Sequence, residues 1–459
     1  MKWMVKFTIF IFGLCAFLFA PKMSTHINAE NMWKKLEVSW GYERTNMDDF
    51  LEKLNGLTSE EVVVAILDTG IDSDHEWFYD ANGNSRILHE YAADCALKVG
   101  REVRCYNRSD DINVNYEDID GHGTHVAGII AKATPDNVKI IPLQGSTELL
   151  CDGSDCLIDG EAIKNAFKYI IDLKVNHGVN IVALNYSVGN DYHSHNDSYY
   201  QRLASLVSDA YDAGIFFVVA AGNERDDTTK SWMKLEKAQK AIMVSALNMA
   251  MHKADFSNYG DEVDFAAPGT AIFSAKVGGG VTSKRGTSMA APHVAADIAL
   301  LYSMCPTCTL EQIEAILFDS AVDIGEEGKD PKYGHGYIDM NIAWEKLQKY
   351  RKIHTVTVII KGKGIISGLP KKTDQVKSRW IFNTTYTFSI DSGMYIALTV
   401  KPIGWFSHIK HIKTKKAGEK KLSTIANPNL NYVSAFRGNP GYLMKITGNM
   451  TIEIKINII

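Results

Sequence analysis

The sequence predicts an α/β fold, a mostly parallel sheet covered by helices on both faces, followed by a small all-β domain. Three observations predict it. Between residues 60 and 350 or so, short continuous apolar runs alternate with stretches of helical spacing, the pattern of parallel strands joined by crossover helices. Polar, glycine-containing segments fall directly after those runs, at the carboxyl ends of the expected strands, where such folds gather their ligands. After Tyr350 the helical spacing stops. Short segments rich in β-branched and aromatic residues follow, separated by Gly, Pro, Asn and Lys.

In chain order, residues 1–29 read as a signal peptide. Lys2 and Lys6 precede an apolar run over 9–20, which is too short to span a bilayer comfortably and suits the apolar core of a signal segment. A short membrane anchor is the alternative. Cleavage is expected between 21 and 30, since Pro21 sits badly after Ala20 and Ala29 ends a looser candidate. No later stretch is long and apolar enough for a membrane helix. Residues 30–350 form the α/β domain, with buried strands over 62–67, 181–184 and 215–220, helices over 161–175 and 199–213, and a closing helix around 342–350. Residues 351–459 form the β-rich domain, with strands over 355–360, 386–390, 395–400 and 451–456. At 459 residues, 46% hydrophobic and 22% charged, the chain can bury a large core and a smaller second unit, which excludes disorder as a description of the whole.

The formal charge of −5 hides an asymmetry. Residues 1–350 carry 31 Lys/Arg against 50 Asp/Glu, and residues 351–459 carry 18 against 4. The basic domain can hold to anionic polymers or dock on the acidic domain of the same chain. No nucleic-acid partner is expected, and the chain is expected to be a monomer. Cys15 lies in the signal segment and leaves six cysteines in three neighbouring pairs. Short spacing in an exported chain favours Cys95–Cys105, Cys151–Cys156 and Cys305–Cys308 as local bridges among the 15 connectivities that six cysteines allow. A redox dithiol at Cys305-Pro306-Thr307-Cys308 lacks its strand–helix context, and a zinc site lacks a second closely spaced pair.

Three segments carry chemistry. Val64-Ala65-Ile66-Leu67-Asp68-Thr69-Gly70 sets a carboxylate at a strand end, and the glycine permits the turn beyond it. Asp120-Gly121-His122-Gly123-Thr124-His125-Val126-Ala127-Gly128 sets a histidine at the start of a small-residue helix. Gly286-Thr287-Ser288-Met289-Ala290-Ala291-Pro292-His293 sets a serine at a helix start, with Pro292 expected in the first turn. Hydrolysis of a peptide through a serine needs a nucleophile, a base for its proton and a carboxylate to hold the base in the right tautomer. Ser288, His122 and Asp68 supply one of each, in the chain order Asp, His, Ser.

That order and those motifs resemble the subtilisin family of serine proteases, over residues 38–345 approximately. The resemblance extends to Ala221-Gly222-Asn223-Glu224, to Phe256-Ser257-Asn258-Tyr259-Gly260 and to Ala267-Pro268-Gly269. It implies the three-layer subtilisin-like fold and a secreted endopeptidase acting on polypeptides. It implies Asp68, His122 and Ser288 as the catalytic triad, and Asn223 as the side-chain donor to the oxyanion. In Asn185-Tyr186-Ser187-Val188-Gly189 it implies an edge strand, with Ser187, Val188 and Gly189 pairing with extended substrate. No cofactor enters the bond chemistry.

The chain also departs from the family. The stretch between signal and first strand is short for a folding propeptide. Trp77 stands where the strong calcium site has an aspartate, and 131–138 is short for the loop behind the His122 helix, so that site is expected to be absent, although a structural calcium elsewhere is compatible with the sequence. Segment 231–240 carries Trp232 and Met233 in place of the usual Tyr-Pro pattern, and no preferred side chain is legible from it. Asp72, Asp74 and His75 read as turn residues. His125 and His293 read as packing residues, hydrogen-bonded inside their own helices on faces that cannot reach Ser288.

Overall fold

The computed structural model describes residues 40–54, 60–99, 102–110, 114–146, 158, 160–187, 197–228 and 232–351, and seven backbone strands between 353 and 458. The signal segment, Cys151, Cys156, Val188 and Gly189 lie outside the described residues. Two short helices come first, α1 (Trp40–Arg44) and α2 (Met47–Leu54). The strands of the α/β region are β1 (Val62–Asp68), β2 (Ala93–Asp94), β5 (Tyr106–Asn107), β6 (Val138–Gln144), β7 (Ile181–Tyr186), β8 (Phe216–Ala220), β9 (Ile242–Leu247) and β10 (Val263–Pro268); a two-residue hairpin pairs β3 (Lys98–Val99) with β4 (Glu102–Val103). Eight of these form one sheet in the order β10–β9–β8–β7–β1–β6–β2–β5, parallel throughout except for β5 against β2.

β1 lies inside the sheet because its sequence suits no other place. All seven of its residues are buried, and a Val/Ile-rich run with no polar face must be covered on both sides. Its alternation assigns the layers. Val63, Ala65 and Leu67 join a core cluster with Ala162, Phe167 and Leu203, which come from α4 (Gly160–His177) and α5 (Asp197–Asp212). Residues of opposite parity, Asp68 among them, point to the other face. There α3 (His122–Ala133) packs on α6 (Thr287–Met304), and both pack on β1.

α6 is buried all round, Tyr302 being its one partly exposed residue. A helix apolar on every side belongs in a core, and its alanines let it lie close to the strands. Pro292 lies in its second turn and not the first as expected, so the helix lacks an amide donor at that point. β11 (Ile272–Ala275) and β12 (Val281–Lys284) form a hairpin against α3. α7 (Leu310–Asp319), with a complete capping box from Thr309 and Gln312, leads to β13 (Ala321–Val322), β14 (Tyr337–Ile338) and α8 (Met340–Leu347). Trp344 of α8 meets Phe50 of α2 edge to face at 5.5 Å.

Cys95–Cys105 bridges the antiparallel pair β2/β5, and Cys305–Cys308 bridges the turn from α6 to α7, as the spacing predicts. The strands after 353 are β15 (Ile353–Ser367), β16 (Trp380–Asp391), β17 (Tyr395–Pro402), β18 (Ser407–Lys416), β19 (Ser423–Thr424), β20 (Gly441–Lys445) and β21 (Met450–Ile458). They pair in the order β19–β18–β21–β15–β17–β20, with β16 also on β15. Most run longer than the sequence pattern predicts.

Candidate active site

Asp68 ends β1 and is 1% exposed. Its Oδ1 accepts from the Thr69 amide at 2.8 Å and from His122 Nδ1 at 2.7 Å. With Nδ1 donating to a carboxylate, a neutral His122 ring carries its lone pair on Nε2. Burial lowers the His122 pKa, but the charge of Asp68 and its hydrogen bond outweigh that and leave the pKa above the ordinary 6.5.

His122 opens α3 after Gly121, which holds the left-handed conformation at φ 96°. The start of the helix closes on the Asp68 turn because Gly123 has no side chain. A Cβ there would run into the Gly70 carbonyl and come within 3.1 Å of Asp68. Asp118, which the sequence reading passed over, gathers both segments. Its Oδ1 accepts from Thr69 Oγ1 at 2.8 Å and the Gly121 amide at 2.8 Å, and its Oδ2 from the Thr124 amide at 2.8 Å and Thr124 Oγ1 at 2.6 Å. Its place four residues before His122, ahead of a helix start, was the available signal.

A second cluster surrounds Asn223. Its Oδ1 accepts from the Thr287 amide at 2.9 Å and from Thr287 Oγ1 at 3.1 Å, which turns Nδ2 away from Thr287. Thr287 Oγ1 in turn accepts from the Gly222 amide at 3.0 Å. Asn258, 5% exposed, holds the same turn: Nδ2 donates to Ala221 O at 3.0 Å and Glu224 Oε2 at 2.7 Å, and Oδ1 accepts from the Glu224 and Asp226 amides, each at 2.9 Å. Ser288 is the second residue of α6 and is 8% exposed. Gly286 lies between the two groups. A Cβ on it would be 3.6 Å from both Nδ2 and Oδ1 of the Asn223 amide and 3.6 Å from Ser288 N, so the glycine leaves open a space beside both groups. Thr287 and Asn258 were within motifs the sequence singled out, but their role in orienting Asn223 needed the fold.

The remaining expectations divide. Asn185 and Tyr186 are not at an edge: they end β7, an interior strand between β1 and β8, while Val188 and Gly189 lie outside the described residues. Ser187 follows the carboxyl end of β7 with a buried hydroxyl that accepts from Asn185 Nδ2 at 2.8 Å. His125 is fully buried but bonds outside its helix, its Nε2 donating to Ile272 O at 3.0 Å and Thr282 O at 3.2 Å; burial takes its pKa down to about 3. His293 does bond within its helix, to Met289 O at 2.8 Å. His75 caps a short 3-10 helix (Glu76–Phe78) and reaches Gly280 O at 2.8 Å, and Asp72 accepts from the Gly278 amide at 2.7 Å, so this turn anchors the β11/β12 hairpin. Trp77 is buried with the Lys132 ammonium 4.2 Å over its ring. Among the described residues, no group of three or more His, Cys, Asp or Glu side chains is arranged to hold a metal ion.

A family model for the subtilase family matches residues 59–336. The minor extracellular protease Epr of Bacillus subtilis is 28% identical over 376 residues, which cover 74% of this chain and 51% of Epr. The subtilisin of Bacillus pumilus is 31% identical over 290 residues, covering 63% of this chain and 92% of the relative. The chain thus aligns with about half of Epr and nearly all of the pumilus protein. The crystal structure of a lanthipeptide protease superposes with a TM-score of 0.52 at 23% identity, covering 70% of this chain and 97% of that one, a likeness of fold.

Two outcomes are expected. Gly123→Ala should destabilise the fold by about 1–3 kcal/mol, because backbone must move to admit the methyl group. An unchanged midpoint of urea unfolding would contradict the close approach. Titration of His122 by NMR should give a pKa above 6.5, and Asp68→Asn should lower it, since burial then acts without the attraction. Because the folded value is the raised one, its contribution to stability is complete below the unfolded pKa and fades as pH rises through the folded one.

Proposed function

The chain belongs to the subtilase family, and from that premise we propose that it is a secreted serine endopeptidase in which Asp68, His122 and Ser288 form the catalytic triad. The observation that carries the reading is the 2.7 Å bond from His122 Nδ1 to the buried Asp68 carboxylate, which fixes the tautomer that a general base needs.

In this reading His122 Nε2 takes the proton from Ser288 Oγ as the oxygen attacks a peptide carbonyl carbon. Negative charge then develops on the carbonyl oxygen, and Asn223 Nδ2 and the Ser288 amide hold it. Held at Oδ1 by Thr287, the Asn223 amide loses little freedom when it donates, which favours the transition state over the ground state. His122 returns its proton to the leaving amine, and water resolves the acyl-enzyme by the same route in reverse. The chain of the substrate would run along Ser187, Val188 and Gly189, just beyond the end of β7. Every group in this chemistry is a side chain or a backbone amide, in keeping with a family that needs no catalytic cofactor.

Export is part of the proposal. It is supported by the signal-like run over 9–20, by two disulfides, and by the name of the relative Epr, an extracellular protease. Among the described residues no helix is long and apolar enough to cross a membrane.

Incubation of the secreted protein with denatured casein should give cleavage that a serine-directed organophosphorus reagent stops, with the label on Ser288. Ser288→Ala should be secreted and folded but lose hydrolysis to a residue of about 10³–10⁴ over water; near wild-type turnover would overturn the assignment. Asn223→Leu tests the oxyanion role. It should lower kcat by about 10²–10³ with little change in KM, the size typical of one lost oxyanion donor. An effect confined to KM would mean that Asn223 positions substrate instead.

A further inference from the structure

The end of α3 opposite His122 poses a problem of hydrogen bonding. The residue after the helix cap is Pro135, which has no amide to offer the Ala131 carbonyl, and the Thr134 carbonyl is orphaned by the end of the helix. Arg86, only 2% exposed, supplies the missing donors. Its Nη1 donates to Ala131 O at 2.6 Å and Thr134 O at 3.3 Å, its Nη2 to Thr134 Oγ1 at 2.7 Å and Val138 O at 2.9 Å, and its Nε to Val138 O at 3.1 Å. A buried cation surrounded by carbonyl oxygens at a helix C-terminus also suits the negative end of the helix dipole. Burial lowers its pKa to about 10, against the opposing pull of Asp136, and it stays charged at neutral pH.

Arg86 is itself fixed to the sheet. Its carbonyl accepts from the Ile140 amide at 2.9 Å and its amide donates to Phe78 O at 2.7 Å, while Ile87 bridges Ile140. Val138 begins β6, which pairs with β1 in the register that sets Gln144 beside Asp68. One guanidinium therefore ties the end of the helix carrying His122 to the strand beside the one carrying Asp68. A 12-residue helix is rigid, so a slip at its C-terminus moves His122, about 18 Å away, by the same amount.

We propose that Arg86 is a positioning residue for peptide hydrolysis: it locks α3 to β6 and thereby sets the axial position of His122 against Asp68. The proposal rests on the peptidase reading given above.

The test uses the full secreted chain as wild type, Arg86→Met, Arg86→Lys and Thr134→Val, each at a temperature where circular dichroism finds it folded. Arg86→Met should lose about tenfold or more in kcat, as displaced catalytic groups do, with KM within about twofold. Arg86→Lys and Thr134→Val should lose less, and guanidinium ion well below denaturing concentration should restore part of the activity of Arg86→Met but add nothing to the wild type. The downfield proton of the His122–Asp68 hydrogen bond should shift or broaden in the same order. Wild-type kcat and an unchanged proton in folded Arg86→Met would overturn the proposal. If that variant does not fold, the same result in both Arg86→Lys and Thr134→Val would do so. A wild type that cleaves no peptide would sink the peptidase reading alone, because the proton resonance still decides whether Arg86 positions His122.

Discussion

The close approach of α3 to the end of β1 is the constraint on which the site depends. A histidine can hold a buried carboxylate at 2.7 Å only if its helix begins almost on top of the strand end, and that requires the missing side chain at Gly123. The alternation of β1 makes the same demand from the other side. Val63, Ala65 and Leu67 commit one face to the α4/α5 core, so Asp68 must emerge on the face where α3 lies. The core packing and the hydrogen bond are consequences of one register, and a one-residue slip in β1 would lose both.

Charge is arranged along α3 to suit its dipole at each end. Asp118 accepts the free amides of the first turn, and Arg86 donates to the free carbonyls of the last. Arg86 is buried, 2% exposed, and so is weakened little by salt, whereas Asp118 is only partly buried. The second cluster follows a different principle. Asn258, Glu224 and Thr287 form a polar network in which the turn around Asn223 is held from three directions before any substrate arrives. Such a network fixes the orientation of the Asn223 amide in the free protein.

Three strands of the sheet, β1, β7 and β8, and the two helices covering the outer core were legible in the chain because each depends on a local pattern, buried apolar runs or helical spacing, whereas β2, β5, β6, β9 and β10 were not named from it. The pairing of Cys95 with Cys105 was legible for a similar reason, since the two cysteines are only 10 residues apart. Three readings met a different outcome, two of them because the deciding partner was distant in sequence. His125 was expected to bond in its own helix, but the β11/β12 hairpin offers two carbonyls to it. Asn185 and Tyr186, the start of a run expected at an edge, are covered by β8 on one side and β1 on the other. Pro292 was expected in the first turn of a helix that in fact starts at Thr287.

The sequence by itself determined which residue types stand at the strand and helix ends, because backbone conformation and apolar periodicity act over a few residues. Only the tertiary structure decided what those residues touch. That Arg86 closes a helix end broken by Pro135, that Asp118 joins the turn of Asp68 to the helix of His122, and that Thr287 aims the amide of Asn223 are pairings across tens of residues. A buried polar group must find a partner, and no local pattern names which distant one it will find.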